Sequence, residues 1–311
     1  MKAGFKSGLW WSSLAGISSV TLGPLFLGSA PILAIGIIFG PSWSQISVAI
    51  GAATVILLSS GDAALLFLFI TAIPAALAIQ YASIPDPRRN LEGLSRSISA
   101  LALFGLFAIV LLGADLFGLG QRIESHVERT FSQIFSHIQN QIQTVDSAQV
   151  NQIKTALNRI VSFASYIAIG GISAAAFLIL TSNFVLVVAI LKRTNFSYLD
   201  YPDYRTIQPP RWLSIVFFVS ILMAFLDGSI GKIALNCVIF LTIPFLFTGL
   251  AVIHSLAKRH VNYRAVLVGF YVSIFVFGFV FGLLSVISAL LALLGAMEIW
   301  VGIRRRFGVS S

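Results

Sequence analysis

The sequence is poor in charge: Asp, Glu, Lys and Arg together make up 10% of its 311 residues, against roughly 25% in a typical soluble domain. Hydrophobic residues make up 58% of the chain, and the mean hydropathy is +0.95. So little charge cannot cover the surface of a water-soluble protein, which excludes that class. The composition indicates an integral membrane protein.

The sequence also lacks the residues and motifs of most catalytic and metal centres. One cysteine, Cys237, leaves no disulfide and no cysteine-based metal site. His126 and His137 lie eleven residues apart with few other candidate ligands near them, so we predict no metal and no cofactor. The chain has no phosphate-binding glycine loop, zinc-protease helix or nucleophile elbow. We therefore expect no catalytic residues, no ATPase domain and no enzyme activity.

Long apolar runs dominate what is present. None alternates apolar with polar residues as a β-barrel strand does, so we predict membrane-spanning helices. The runs cover residues 9–26, 28–39, 45–58, 63–82, 98–117, 160–191, 213–226, 233–256 and 266–300. The last is too long for one helix, and we expect it to divide near Gly278 and Gly282. The predicted fold is an all-α polytopic transmembrane bundle of about 8 to 10 spans, which forms a single integral membrane domain over residues 1–311. Runs 28–39 and 45–58 are short, and each is predicted to be either a span or a re-entrant segment.

The net charge of +9 comes from basic residues in loops between apolar runs rather than on one soluble face, so we predict no nucleic-acid binding. In a ten-span topology with an internal N-terminus, 15 of the 20 Lys and Arg residues fall on the inner side. This bias predicts cytoplasmic N- and C-termini. It also predicts a cytoplasmic, tyrosine-rich loop at 194–211, which serves as an interface anchor or as a docking strip for a partner.

One long segment, residues 121–160, is polar. Its apolar residues recur at helical spacing with a break near 144–147, which predicts two amphipathic helices outside the membrane. This extracytoplasmic helical insertion could cover the outer leaflet or the bundle, close over a substrate entrance, or dock a partner.

Several polar residues fall near span ends that this topology places at the outer surface. Because ionisable groups at membrane depth are costly and tend to face a cavity or one another, we predict a solute-binding site there. Its candidate ligand-binding residues are Asp62, Asp115, Asp227 and Asn236. The structural alternatives are a helix cap at Asp62, a solvated turn between Asp227 and Lys232, and hydrogen bonds between helices for Asn236.

The first apolar run carries a narrow strip of small residues. Ser12, Ala15, Gly16 and Ser19 recur at helical spacing, and small side chains let another helix approach closely. We predict helix packing at this strip, by a helix of the same chain or of a partner subunit.

The last apolar run ends in LLGAMEIWVGIRRR, where one carboxylate, Glu298, precedes Trp300 and three arginines. The indole and the arginines predict an anchor at the inner membrane surface. On a continuous helix the first arginine, Arg304, lies nearly two turns beyond Glu298. We therefore expect the cation that pairs with Glu298 on another helix, such as Arg211 or Lys258, or on a coupling subunit.

Residues 207–307 carry a series of landmarks: QPPRWLSIVFF, ALNCVIF, GLAVIHSLAKR and LLGAMEIWVGIRRR. With these the chain resembles the YybS-like predicted membrane proteins, a bacterial family of unknown function. That family is similar in fold to the substrate-binding S components of energy-coupling-factor transporters. In S components, small residues on the first helix pack against the coupling subunit, and the ligand lies near the outer surface.

The resemblance implies a multi-pass protein of the bacterial cytoplasmic (inner) membrane, whose partners are the lipid bilayer, a small solute, a transmembrane coupling subunit and an ATPase. Our leading interpretation is a transport-related, S-component-like binder that captures a small solute from the outer side. The alternative is a non-transporting membrane scaffold or assembly factor. A closed, polar-lined cavity below the outer surface favours the binder, and an interior packed with apolar side chains favours the scaffold.

Overall fold

A computed structural model of the chain describes residues 5–23, 26–59, 61–83, 93–115, 118–141, 147–193, 208–280 and 282–307. Within these ranges all regular secondary structure is helical, which confirms the predicted all-α class. Most of the loop 194–211 lies outside the described residues, so its role stays a prediction.

The first five helices follow one another closely along the chain: α1 (Phe5–Thr21), α2 (Ser29–Phe39), α3 (Pro41–Leu58), α4 (Gly61–Phe67) and α5 (Ile73–Ala82). A π-helical turn, Leu68–Ala72, joins α4 to α5. The later helices are α6 (Gly93–Gly113), α7 (Leu119–Gln141), α8 (Ser147–Tyr166), α9 (Ala168–Arg193), α10 (Arg211–Met223), α11 (Gly228–Ala257), α12 (Tyr263–Phe275), α13 (Leu284–Val301) and α14 (Ile303–Phe307). Helices α7 and α8 are the predicted amphipathic pair and pack against each other as a hairpin.

Six helical stretches are long and apolar enough to cross a membrane: Pro41–Leu58, Ala63–Ala82, Ser95–Gly113, Ala168–Leu191, Gly228–Ala257 and Leu284–Val301. Shorter apolar helices accompany them: Ser29–Phe39, Arg211–Met223 and Tyr263–Gly278. The polytopic helical bundle is thereby confirmed. The number of crossings stays a prediction, because a helix as short as α2 covers only about half of a hydrocarbon core of about 30 Å.

The long C-terminal apolar run is divided into two helices, as predicted. Helix α12 continues into a π-helical turn, Val276–Val280, and α13 begins at Leu284. Between them Gly282 has a φ of +68°, a left-handed conformation that glycine adopts without steric cost.

The chain forms two compact units. Unit 1 comprises Met1–Phe104, Ala175–Ile215 and Thr242–Ser311. Unit 2 comprises Gly105–Ala174 and Val216–Leu241, and it includes the α7–α8 hairpin. The single domain expected over residues 1–311 stays a prediction.

Close helix packing organises unit 1. Helix α1 packs along α3, and α2 contacts both, with Ile32 and Leu33 fully buried. Helix α11 crosses α13 where Gly249 meets Gly295. A Cβ atom placed on Gly249 would fall onto the carbonyl oxygen of Leu291, and one placed on Gly295 would lie 2.7 Å from the Gly249 nitrogen. The two backbones are therefore in direct contact.

In unit 2, α6 and α11 run antiparallel. The ring of Phe240 covers Gly105, while further along α6 a Cβ atom on Gly113 would lie 2.7 Å from Cγ1 of Ile233. Phe240 and Ile109 are buried and fill the space between these helices. The end of α6 and the beginning of α11 consequently lie at the same end of unit 2.

Candidate functional site

Asn236 lies in α11, and its side chain bridges the break between α8 and α9. Its Oδ1 accepts a hydrogen bond from the Gly170 N–H (2.6 Å). Its Nδ2 donates to the carbonyl oxygens of Tyr166 (3.0 Å) and Lys232 (2.8 Å). Gly170 is in the first turn of α9 and Tyr166 is the last residue of α8, positions at which backbone groups have no partner within their own helix. The Asn236 amide supplies those partners.

The surroundings of Asn236 are tightly packed. Its exposed fraction is 2%, and a Cβ atom placed on Gly170 would lie 2.7 Å from the Asn236 Cα. In unit 1, Asn183 has a similar role: its Nδ2 donates to the Phe26 carbonyl oxygen (2.9 Å) and to Ser29 Oγ (2.7 Å). Both asparagines thus form interhelical hydrogen bonds, which is the alternative to ligand binding that we considered for Asn236. The ligand-binding role of Asn236 stays a prediction.

We expect the Asn236→Ala substitution to destabilise the protein, because it leaves the Gly170 N–H and the Tyr166 carbonyl without their side-chain partner. An unsatisfied buried group costs about 1–3 kcal/mol. Thermal unfolding of the purified protein should show a midpoint lowered by about 2–4 °C for each kcal/mol lost. The matched control is Asn158→Ala, at an exposed position of α8 in the same unit. Equal midpoints for the two variants would contradict a structural role for Asn236.

Asp115 follows α6 and has a φ of +52°, a left-handed conformation that aspartate adopts more readily than most residues. Its Oδ1 accepts a hydrogen bond from the Gln121 N–H (3.2 Å), in the first turn of α7. A carboxylate at the start of a helix also interacts favourably with the helix dipole. Asp115 therefore caps the first helix of the hairpin.

The other two aspartates among the candidates occupy different places. Asp227 is exposed immediately before α11, at the end of unit 2 that also carries Asp115. Asp62 belongs to unit 1 and is the second residue of α4, so it lies within the first turn rather than before it. The side chain of Asp62 is outside the described residues. Unit 2 thus contains Asp115, Asp227 and Asn236, and whether these residues bind a solute stays a prediction.

An ion pair that sequence reasoning missed lies beside Asn236. Lys232 Nζ is 2.6 Å from Oε2 of Glu124 in α7 and 5.6 Å from the ring centroid of Tyr166 at the end of α8. Lys232 therefore lies within α11 and holds the hairpin, rather than in a solvated turn. The sequence signal that could have revealed this role is the spacing of Lys232 and Asn236, which are four residues apart and therefore share a helix face. Together they attach α11 to both helices of the hairpin.

The small-residue strip on α1 faces α3 of the same chain. A Cβ atom placed on Gly16 would lie 2.6 Å from the Ser47 carbonyl oxygen and 3.0 Å from the Gly51 nitrogen. All four residues of the strip are buried: Ser12, Ala15, Gly16 and Ser19. Of the two neighbours that we considered for the strip, the structure provides the helix of the same chain.

The polar face of α7 borders a shallow groove of about 590 Å³. The residues that line it recur at helical spacing along this one helix: Ser125, Glu128, Arg129, Ser132, Gln133 and Ser136. His126, also on α7, is exposed, and the side chain of His137 is outside the described residues. The groove offers carboxylate, guanidinium, hydroxyl and amide groups on an exposed helix face.

Glu298 pairs with Arg304 of α14, so the expectation that Arg211, Lys258 or a coupling subunit supplies its cation is wrong. Arg304 Nε lies 3.0 Å from Glu298 Oε1, and the Arg304 N–H lies 3.3 and 3.2 Å from the two carboxylate oxygens. The chain turns at Gly302, which ends α13 with a φ of +63°. This turn removes the two-turn separation that a continuous helix would impose. The side chains of Glu298 and Arg304 are only 4% and 13% exposed.

Comparison with known families adds one finding. A family model described as a predicted membrane protein (DUF2232) matches residues 12–295, from α1 into α13. The chain belongs to this family. No curated protein sequence and no solved structure gives a significant match. In this DUF2232 protein, the matched range includes Asn236 and the Gly249–Gly295 crossing, whereas the Glu298–Arg304 pair follows it.

Proposed function

We propose that this DUF2232 protein is a non-transporting membrane scaffold that holds a helix of a partner protein along the polar face of α7. The observation that carries the proposal is the attachment of the hairpin at its base. Lys232 and Asn236 of α11 contact α7 and the junction of α8 with α9. A docking surface that is attached to membrane-spanning helices presents a partner in a defined position.

The interior of unit 2 supports a scaffold function rather than a solute-binding function. Ile109, Phe240 and Leu241 are buried between its helices, and the hydrogen-bonding groups of Asn236 are engaged within the chain. Solute sites instead combine a cavity with polar groups that are free to meet the ligand.

The shape of the α7 surface suggests its occupant. From Ser125 to Ser136 the groove follows twelve residues of helix, which rise by roughly 16 Å at about 1.5 Å per residue step. A partner helix of about three turns matches this length. Glu128 and Arg129 give the groove one charge of each sign, which favours a partner segment that carries both signs and fixes its register.

The S-component-like binder is the second candidate. Asp227 favours it, because this carboxylate is exposed at the same end of unit 2 as Asp115, where a solute from the outer side would arrive. In that case a small solute binds at this end, and a transmembrane coupling subunit and an ATPase in the bacterial inner membrane supply the energy. The α1 strip is occupied by α3, so the coupling subunit would need a different contact surface.

Site-specific photo-crosslinking in intact cells tests the scaffold. A photoreactive amino acid at Ser132, on the groove, should capture one polypeptide of defined mass, while the same amino acid at exposed Asn158 on α8 should not. Reversing both groove charges, by Glu128→Lys and Arg129→Glu together, should lower capture at Ser132 at least about tenfold, since like charges then face each other. Equal capture at both positions, or capture that ignores the charge reversal, would rule out a specific partner helix.

A further inference from the structure

Three helix ends meet at one end of unit 1. Ser95, near the start of α6, accepts a hydrogen bond through its Oγ from the Gln208 N–H (3.3 Å), just before α10. Ser214, in the first turn of α10, accepts one through its Oγ from Trp300 Nε1 (2.9 Å), near the end of α13. The beginnings of α6 and α10 and the end of α13 with α14 are thus joined by direct contacts. We call this region the arginine end.

The arginine end carries a concentration of positive charge: Arg96, Arg211, Arg304, Arg305 and Arg306. The buried carboxylate of Glu298 is engaged by Arg304. Arg211, Arg305 and Arg306 are exposed. The positive charges of these three exposed arginines are therefore not neutralised by Glu298.

Arg96 adds a second and independent observation. Its Nε and Nη1 are buried and have no hydrogen-bond partner among the described residues. Guanidinium groups carry only donors, and buried donors without an acceptor are costly, more so when they are charged. Arg96 as a whole is partly exposed, so a rotation of its side chain can bring these donors to an acidic oxygen from outside the described residues, and phosphate suits the planar fork of arginine.

Trp300 indicates where this acidic group comes from. Its indole is 56% exposed, while its N–H is fixed by Ser214. Amphipathic rings of this kind concentrate at the level of lipid headgroups, and α13 is one of the helices able to cross a membrane. The arginine end therefore lies where headgroup phosphates lie.

We propose that the arginine end binds the phosphate of an anionic phospholipid headgroup, with Arg96 as the partly buried contact and Arg211, Arg305 and Arg306 as the surface contacts. Basic residues beside a membrane-spanning helix attract anionic lipids, and each contributes about a fivefold gain in affinity. Zwitterionic lipids carry the same phosphate without net charge and bind less well. This site is independent of the scaffold proposed for α7, whose groove belongs to unit 2.

Native mass spectrometry of the purified full-length chain, titrated with phosphatidylglycerol or phosphatidylcholine, tests the site. We expect phosphatidylglycerol to bind at least about fivefold more tightly. The Arg305→Ala/Arg306→Ala variant should bind it about 25-fold more weakly, and Arg96→Gln at least about fivefold more weakly. The matched control is Arg122→Ala/Arg159→Ala, which removes two exposed arginines from unit 2 and should leave the affinity unchanged.

Three results would overturn the proposal. Equal affinities for the two lipids would remove the preference for an anionic headgroup. An equal loss in the control variant would show that total charge, rather than the arginine end, attracts the lipid. Competition by millimolar inorganic phosphate would identify a site for a free anion instead of a lipid. Arg305 and Arg306 are exposed, so we expect the Arg305→Ala/Arg306→Ala variant to fold. Elution of this variant at the wild-type volume in gel filtration verifies its folding.

Discussion

Replacing Glu298 with alanine will release α14 from the end of α13. The substitution leaves the Arg304 guanidinium, which is 13% exposed, without its carboxylate and deprives the Arg304 N–H of its acceptors. Removing one partner of a buried ion pair costs about 3–5 kcal/mol. Hydrogen exchange of the peptide spanning α14 should therefore become faster by roughly 100-fold or more in the Glu298→Ala variant.

A double-mutant cycle separates the ion pair from other effects of the substitution. In the Glu298→Ala/Arg304→Ala variant the uncompensated charge is gone, so its cost should be smaller than the sum of the two single costs. Met297→Ala serves as the surface control, because Met297 is exposed and lies next to Glu298 on α13. Unchanged exchange of α14 in Glu298→Ala would show that the pair does not hold this helix.

Gly249→Ala and Gly295→Ala should each destabilise unit 1, because α11 and α13 meet there through their backbones. A methyl group on Gly249 would fall onto the Leu291 carbonyl, and one on Gly295 onto the Phe245 carbonyl. Backbone atoms of a packed helix cannot move away from the added methyl group as the end of a flexible side chain can. Overpacking typically costs about 1–3 kcal/mol, and we expect the upper part of this range or more. The midpoint of thermal unfolding in detergent, measured for each variant, reports the loss of stability.

Gly269→Ala provides a control in which the sign of the effect should be reversed. Gly269 lies in α12, and nothing lies within 4 Å of the position that its Cβ would take. Alanine in a helix interior is favoured over glycine by about 1 kcal/mol, so this variant should unfold at the same or a higher temperature. If Gly249→Ala behaved like Gly269→Ala, the close crossing of α11 and α13 would be wrong.

The helices were predictable because their signals are local. Apolar runs predicted the apolar helices, and the apolar spacing in 121–160 predicted α7 and α8. The division of the last run was expected near Gly278 and Gly282, and Gly282 supplies the left-handed turn that other residues resist. Packing of the α1 strip was also predictable, although the pattern of small residues could not distinguish α3 from a helix of a partner.

The contacts of polar side chains were not predictable in the same way. The expected distance between Glu298 and Arg304 assumed one continuous helix, whereas Gly302 ends α13 in a left-handed conformation. A glycine just after a helix is a known termination signal, and weighing Gly302 in this way would have removed the argument against the pair. The partners of Asn236 depend on where α8 ends and α9 begins, which the sequence pattern in 160–191 does not show.

Native mass spectrometry of gently purified protein measures most directly whether the chain is a scaffold or a solute binder. We predict that the wild type carries one protein partner and that the Glu128→Lys/Arg129→Glu variant loses it. We also predict that no small solute is bound to the wild type in fixed stoichiometry. A bound solute of defined mass that is retained by the wild type and lost from an Asp115→Ala/Asp227→Ala variant would contradict the scaffold and establish the binder.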